Sequence, residues 1–438
     1  MIKLNPKVTK LLEEIMKKIL LGTIALLLVG SMVFAGGKKD AAKEEVVEFY
    51  HGFFHSESEW PPAKAMRDIY DEFAARYADG PVKFKAIPLE TRDDMASAQI
   101  AGGNFPDIVD LGRPLSPSAI SQGLVMDLKP YIDSNNLKSA VGINYEQNNI
   151  NGGVYSVHDQ VENRGIWYNE AILRKAGVSI NDLGTWDGFA KAMEAVRNLN
   201  DGSYGYIAGQ GSVMMLAAHM AQTENGRKLV ASELTTDVIN SKEFENSFKA
   251  IAAMDKANGS AHTTVDTGNL MADFNTAGKV AVLNNGAWNA SSVSKDMIGT
   301  LKPAIYPGNV SISSAGYGIT ISNKMSEAKK KVALEFLAYM VSPEVQEKIF
   351  TLVQATPCNA NVDLNKLAAQ ATDPNTALLA DACSQINNAQ IVVKSLYYSW
   401  GNDVVNSLIN AFMECAVSAT DIDQRFNQLK QELTALIS

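Results

Sequence analysis

The sequence predicts an α/β chain of two lobes, each a mostly parallel sheet flanked by helices, with a helical C-terminal region. Three observations lead there. Short apolar runs alternate with amphipathic helical stretches between residues 46 and 111. The alternation recurs from about residue 154 to 322, and almost everything after Ser326 reads helical. Strand, helix, strand at this spacing implies right-handed crossovers, and so parallel pairing. No long linker separates the halves, so several strand crossings are expected to join them.

In chain order, residues 16–35 (MKKILLGTIALLLVGSMVFA) come first. They carry Lys17 and Lys18, an uncharged apolar stretch from Ile19 to Phe34, and small residues Val33 and Ala35. A membrane-spanning helix needs about 20 apolar residues, and this stretch falls short. The pattern is that of a cleavable export signal, residues 1–35, cut after Ala35. A polar segment, MIKLNPKVTKLLEEI, precedes it, which makes Met16 an alternative start. No cysteine follows Ala35, so a freely diffusing periplasmic protein is expected rather than a lipoprotein. Residues 36–45 (GGKKDAAKEE) read as a solvated tether.

VVEFY (46–50) is of strand type, and a loop, HGFFHSESEW, follows it. From Pro61 to Ala78, Met66, Ile69, Tyr70, Phe73, Ala74 and Tyr77 recur at helical spacing. Pro61 and Pro62 suit the first turn, where a missing N–H costs nothing. VKFKAI (82–87) and PDIVDL (106–111) are further strands. The helix between them has Thr91 and Asp94 as a candidate capping box and ends at Gly102–Gly103. Val154–Val157 and Ile166–Tyr168 read as strands, and Thr185 as the N-cap of a helix starting at Trp186. Helices are expected near 212–225, 241–258 and 268–277, and strands at KVAVL (279–283) and YGITIS (317–322).

Charge narrows the function. The 438 residues hold 39 Lys plus Arg against 48 Asp plus Glu, a net charge of −9, so nucleic acid is not an expected partner. Three cysteines are too few for a disulfide scaffold. Export would permit a Cys358–Cys383 bond, and three buried free thiols are the equal alternative. No Gly-x-Ser-x-Gly, His-Glu-x-x-His, P-loop or dinucleotide fingerprint occurs, and no cofactor is expected. His51-x-x-x-His55 would suit a metal only on a helix, and here it runs from a strand into a loop. Glu57 and Glu59 could be paired glycosidase carboxylates, but two apart in a short loop they do not naturally flank one bond. A metal-uptake protein and a secreted carbohydrate-active enzyme are the minor alternatives.

Six ordered motifs carry a resemblance. They are GGNFPDIVDL (102–111), GGVYSV (152–157), GIWYNEAILRKAGV (165–178), TWDGFAKAM (185–193), FNTAGKVAVLNNGAW (274–288) and AGYGITISNKMSEAKKKVALEFLAYMVSPEVQEKI (315–349). In this order, behind an export signal, the chain resembles the extracellular solute-binding proteins of ABC importers, of the carbohydrate type that includes maltose-binding protein. It departs at His158, where the family often has Pro, and at Cys358, an unusual cysteine in a Thr-Pro-Cys-Asn turn.

The resemblance implies the two-lobed, hinge-linked periplasmic-binding-protein fold. Lobe I would hold residues 46–157 and 318–390, and lobe II residues 158–317 and 391–438. It further implies a monomer that captures a sugar or oligosaccharide between the lobes and delivers it to permease subunits of an ABC transporter. A peptide, polyamine or other small polar solute is the alternative ligand. Sugars need aromatic platforms for their C–H faces and charged or amide groups for their hydroxyls. In open α/β sheets such groups sit just after strands. The candidates are Trp288 after 279–283, Glu57 and Glu59 after the first strand, and Asp110 and Arg113 after PDIVDL. Glu162 on the first crossing, Tyr317 on the return crossing and Trp400 in the C-terminal region complete the set. Trp167 and Trp186 are expected in the core.

Overall fold

The computed structural model describes residues 45–259, 267–314, 317–417 and 421–437. The export signal, its cleavage point and the tether up to Glu44 lie outside the described residues. Among the described residues no helix is long and apolar enough to cross a membrane.

Lobe I begins with β1 (Glu45–His51), α1 (Pro61–Ala75), β2 (Val82–Pro88), α2 (Arg92–Ala101) and β3 (Ile108–Leu111). β1 pairs in parallel with both β2 and β3, as the crossovers require. The α1 stripe of Met66, Ile69, Tyr70 and Phe73 is buried. It packs on the sheet through Phe49, whose ring lies 5.0 Å from that of Tyr70. The expected Thr91 cap does not form. The acids of that first turn reach across to the end of β3 instead: Asp93 accepts from the Gly112 N–H (2.9 Å) and Asp94 pairs with Arg113 (3.1 Å).

Lobe II holds β4 (Asn163–Asn169), α3 (Trp186–Arg197), α4 (Gln210–Met220), α5 (Lys242–Asn258), β5 (Val282–Gly286), β6 (Leu301–Ala304) and β7 (Val310–Ser313). The Thr185 hydroxyl caps α3 as expected, accepting from the Gly188 N–H at 3.1 Å. β4 is antiparallel to β5, β6 and β7. This sheet is therefore mixed, not mostly parallel. Short runs buried on both faces carry no signal of strand direction, and β5, β6 and β7 follow one another without the crossover helices that parallel neighbours need.

The chain then returns to lobe I as β8 (Gly318–Ile321), antiparallel to β3, and α6 (Glu327–Met340) covers that sheet. Phe336 of α6 sits 4.7 Å from the Phe49 ring. A π-helical turn, Ile349–Val353, splits its side chains between the lobes: Ile349 and Val353 join the first core, Phe350 the second. α7 (Pro374–Asn387) buries Leu379, Cys383 and Ile386 against Trp167 and Leu283 of lobe II. The expected lobe I segment 318–390 thus ends near Cys358, and the helix beyond it belongs to lobe II. β9 (Ile391–Lys394) extends the second sheet in parallel beside β7, and α8 (Asn402–Val417) and α9 (Ile422–Leu436) close the lobe.

The segments passing between the lobes lie side by side. Val157 bridges Ile319, Asn163 pairs with Ser313, Gln160 bridges Pro357, and the Val161 N–H donates to Thr356 O at 2.8 Å. Cys358, Cys383 and Cys415 are buried free thiols, which decides between the two readings of the cysteines.

Candidate functional site

A cavity of about 450 Å³ lies between the lobes where these crossing segments meet. Lobe I contributes the loop after β1, the start of α2 and the end of β3. The crossings contribute His158, Gln160, Glu162, Tyr317 and Gln354, and lobe II contributes Arg164 and Trp288.

On the lobe I wall, Trp60 is 41% exposed and its ring stacks on Phe53 at 5.5 Å and 15°. Trp60 thus offers an open aromatic surface. Arg92 reaches in from the first turn of α2, and its Nε–H donates to the Asp110 carbonyl. Gly52 and Gly112 make room for its guanidinium: a Cβ at either would lie within 2.7 Å of it. Burial holds the Asp110 carboxyl above the usual range, with Arg92 pulling the other way.

The crossings supply a cluster of ionisable groups. The His158 ring stands edge-on to Tyr317 at 4.5 Å, and its Nδ1 is 2.8 Å from Gln160 O. Burial draws the imidazole down, but the Glu162, Asp159 and Asp110 carboxylates outweigh it and hold it above its ordinary value. Burial also pushes Asp159 up to about 7, against the opposing influence of His158. Tyr317 stacks on Tyr398 at 5.5 Å and 12°.

On the lobe II wall, the Arg164 guanidinium sits 4.8 Å over the Trp288 ring. A Cβ at Gly286 would overlap the six-membered ring of that indole. Only glycine at the end of β5 lets the tryptophan fold back here.

Of the residues expected at the site, Asp110, Glu162, Trp288 and Tyr317 line this one cavity. Arg113 does not. It is paired with Asp94 and lines a neighbouring chamber. Glu57 and Glu59 are exposed on the loop and line no part of the cavity. Glu59 is tied to its own turn, accepting from the Ser56 N–H (2.9 Å) and O–H (2.7 Å). Trp400 is a correction too: it is 6% exposed, packed edge-on to Phe244 in the lobe II core, and donates to Leu229 O. Helix geometry turns Tyr397 and Tyr398 toward the chambers and Trp400 inward. Trp167 is fully buried, as expected, with its Nε1–H on Gly286 O at 2.9 Å. His51 is buried, its Nδ1 accepts from the Phe53 N–H, and burial with Arg92 and Arg67 pulls it down to about 3. That nitrogen is not offered to a metal.

Arg92, Arg164, His158, Gln160 and Gln354 are among the lining residues that the candidate set lacked. The signals for Arg92 were its place in the first turn after a strand and the glycines 52 and 112 at the ends of two others.

Known proteins share this architecture. A family model for bacterial extracellular solute-binding proteins matches residues 68–377. A solute-binding protein of Streptococcus pneumoniae, solved in complex with the blood group A-trisaccharide, is 45% identical with a TM-score of 0.81. That match covers 89% of this chain and 100% of that one. The sugar-binding protein MalE of Xanthomonas citri, at 16% identity, shares the fold with a TM-score of 0.68 over 90% of this chain and 97% of that one. The arabinooligosaccharide-binding protein of Bacillus subtilis (strain 168) is 25% identical over 246 residues, 52% of this chain and 56% of that protein, so the match spans little more than half of that relative. On the span of the family match, which takes in segments of both lobes, the chain belongs to the bacterial extracellular solute-binding proteins.

Proposed function

We propose that this chain captures a sugar or oligosaccharide between its lobes and delivers it to the permease of an ABC importer. One observation carries the reading: the interlobe cavity sets aromatic rings from both lobes, Trp60 and Trp288, beside the charged groups Arg92, Asp110, Glu162 and Arg164. Rings take the C–H faces of a sugar, and charged groups hold its hydroxyls more strongly than neutral ones do. In this reading Trp288, Asp110, Glu162 and Tyr317 touch the ligand, while Arg113 serves only a ligand long enough to reach its chamber.

The protein works as an exported monomer, cut after Ala35 and without a lipid anchor. Closure follows from the ligand's preference for the state in which both lobes touch it. A thermal-shift screen of residues 36–438 against sugars, peptides and polyamines tests the reading, because a ligand raises apparent stability by RT ln(1 + [L]/Kd). A saccharide recovered chemically unchanged should give the largest shift. A shift with peptides or polyamines alone would overturn the reading.

A further inference from the structure

Where the chain leaves lobe I, His158 and Asp159 follow one another with their backbones anchored. Asn144 holds His158 from both sides: its Nδ2–H donates to the His158 carbonyl (2.9 Å), and its Oδ1 accepts from the His158 N–H (3.1 Å). Gln346 Nε2–H donates to the Asp159 carbonyl at 2.9 Å. The next residue, Gln160, bridges Pro357 on the third crossing and so belongs to the ribbon between the lobes.

The His158 ring is placed to titrate without moving. Its Nδ1 lies 2.8 Å from Gln160 O and 3.2 Å from Gln160 N. It can therefore serve this ribbon residue as donor or as acceptor, in either state of charge. The ring is partly open to the interlobe cavity, which gives protons a way in. Asp159 beside it is buried.

Acids outnumber bases around the pair. Glu162 comes from the same crossing, and Asp110 from the end of β3, where Arg92 and Asp93 of α2 act on it. Arg164 stands on the lobe II wall of the cavity, over Trp288. Tyr317 of the return crossing with Tyr398 behind it, Tyr70 of α1 and the Cys358 thiol are all held above their ordinary ranges by burial, and stay uncharged near neutrality. Burial sets Asp159 at about 7, and the carboxylates hold His158 above its ordinary value, so the two titrate together in the neutral range. Closing the lobes strips water from these groups. Each carboxyl then holds a proton more tightly, and the carboxylates that stay ionised keep the imidazolium charged.

We propose that His158 and Asp159 make the hinge proton-linked: closure on a saccharide takes up a proton from solvent at this pair, so capture tightens as pH falls and release is favoured as pH rises. The coupling is reciprocal, because whatever binding does to the proton, the proton does to binding. The inference rests on the reading that the cleft closes on a saccharide.

Titration calorimetry of residues 36–438 tests it. The probe is the neutral saccharide with the largest thermal shift, which brings no titrating group of its own. Its Kd should be about tenfold tighter at pH 6 than at pH 8, the mark of about half a proton taken up per complex. Heats measured at pH 7 in Mops and in Tris, which differ in ionisation enthalpy, should count that uptake directly. His158→Gln and Asp159→Asn, each checked by thermal unfolding, should cut the change to about threefold or less. If His158→Gln does not fold, Asp159→Asn and the wild-type buffer comparison still decide. A Kd equal at the two pH values, or tighter at pH 8, overturns the proton link and leaves saccharide capture standing. A full pH dependence in the folded variants overturns the assignment to this pair. A panel in which no saccharide binds contradicts the capture reading, and this inference falls with it.

Discussion

Trp288 is held between two neighbours of its own lobe, the Arg164 guanidinium and the bare backbone of Gly286, and it stands half-open on the cavity. Trp288→Ala should therefore leave ligand-free stability nearly unchanged while weakening sugar binding by roughly 1–3 kcal/mol, the stacked face and its buried area together. Trp400→Ala should do the reverse. It empties a packed site beside Phe244, at a cost of about 3–5 kcal/mol in folding stability, with affinity near normal. Urea denaturation and calorimetry on both variants check the pair, and the opposite pattern would exchange their roles. Asp255 gives a pH prediction. Buried in α5 with the Tyr206 hydroxyl donating to it at 2.6 Å, it is pushed up by burial to about 7. Between about 4, the ordinary value, and 7, the folded chain keeps a proton that the unfolded chain has lost. Its stabilising contribution is complete below about 4 and is lost as pH rises through 7. Asp255→Asn should gain on the wild type from pH 5 to 8, by at most about 1.4 kcal/mol per pH unit. Parallel curves over that range would count against a buried, proton-holding carboxyl. At this scale, strand ends pointed to Asp110 and Trp288 in the sequence, and the resemblance pointed to Glu162 on the first crossing; all three line the cavity. The resemblance misjudged Trp400, because a helical turn decides which of Tyr397, Tyr398 and Trp400 faces in, and composition does not reveal that rotation.

Among the elements, the joint between β8 and the first crossing is the tightest. Gly318 has φ +106°, and a Cβ there would lie 2.5 Å from the Cα of His158. Gly318→Ala should force the two crossing strands apart and cost roughly 1–3 kcal/mol, read as a lower denaturant midpoint. An unchanged midpoint would mean the crossings have slack. The parallel core of lobe I was legible because β1, α1, β2, α2 and β3 alternate at crossover spacing and α1 carries a clear stripe. β6, β7 and β9 were not. Each has four residues and sits beside turns or in a stretch that otherwise reads helical, too short for a period to emerge. The lobe assignment of α7 was equally hidden, since a buried helix face does not say which sheet it covers. Only the contacts of Leu379 and Ile386 with the Trp167 cluster decide it.

For the whole molecule, capture between the lobes requires two bodies that can move about a narrow ribbon. The ribbon is present: Val157 and Asn163 pair with Ile319 and Ser313 on one side, Gln160 and Val161 with Pro357 and Thr356 on the other, and the π-helical turn Ile349–Val353 leads into the last of these. A ligand touching Trp60 in lobe I and Trp288 in lobe II gains contacts only when the lobes approach, so binding energy goes into closure. Small-angle scattering of residues 36–438, measured alone and then with the saccharide that gives the largest thermal shift at saturation, reads this directly. The radius of gyration should fall on binding, and Trp288→Ala should shift the sugar concentration needed to higher values. A bound saccharide that leaves the radius of gyration unchanged would contradict capture by closure between the lobes.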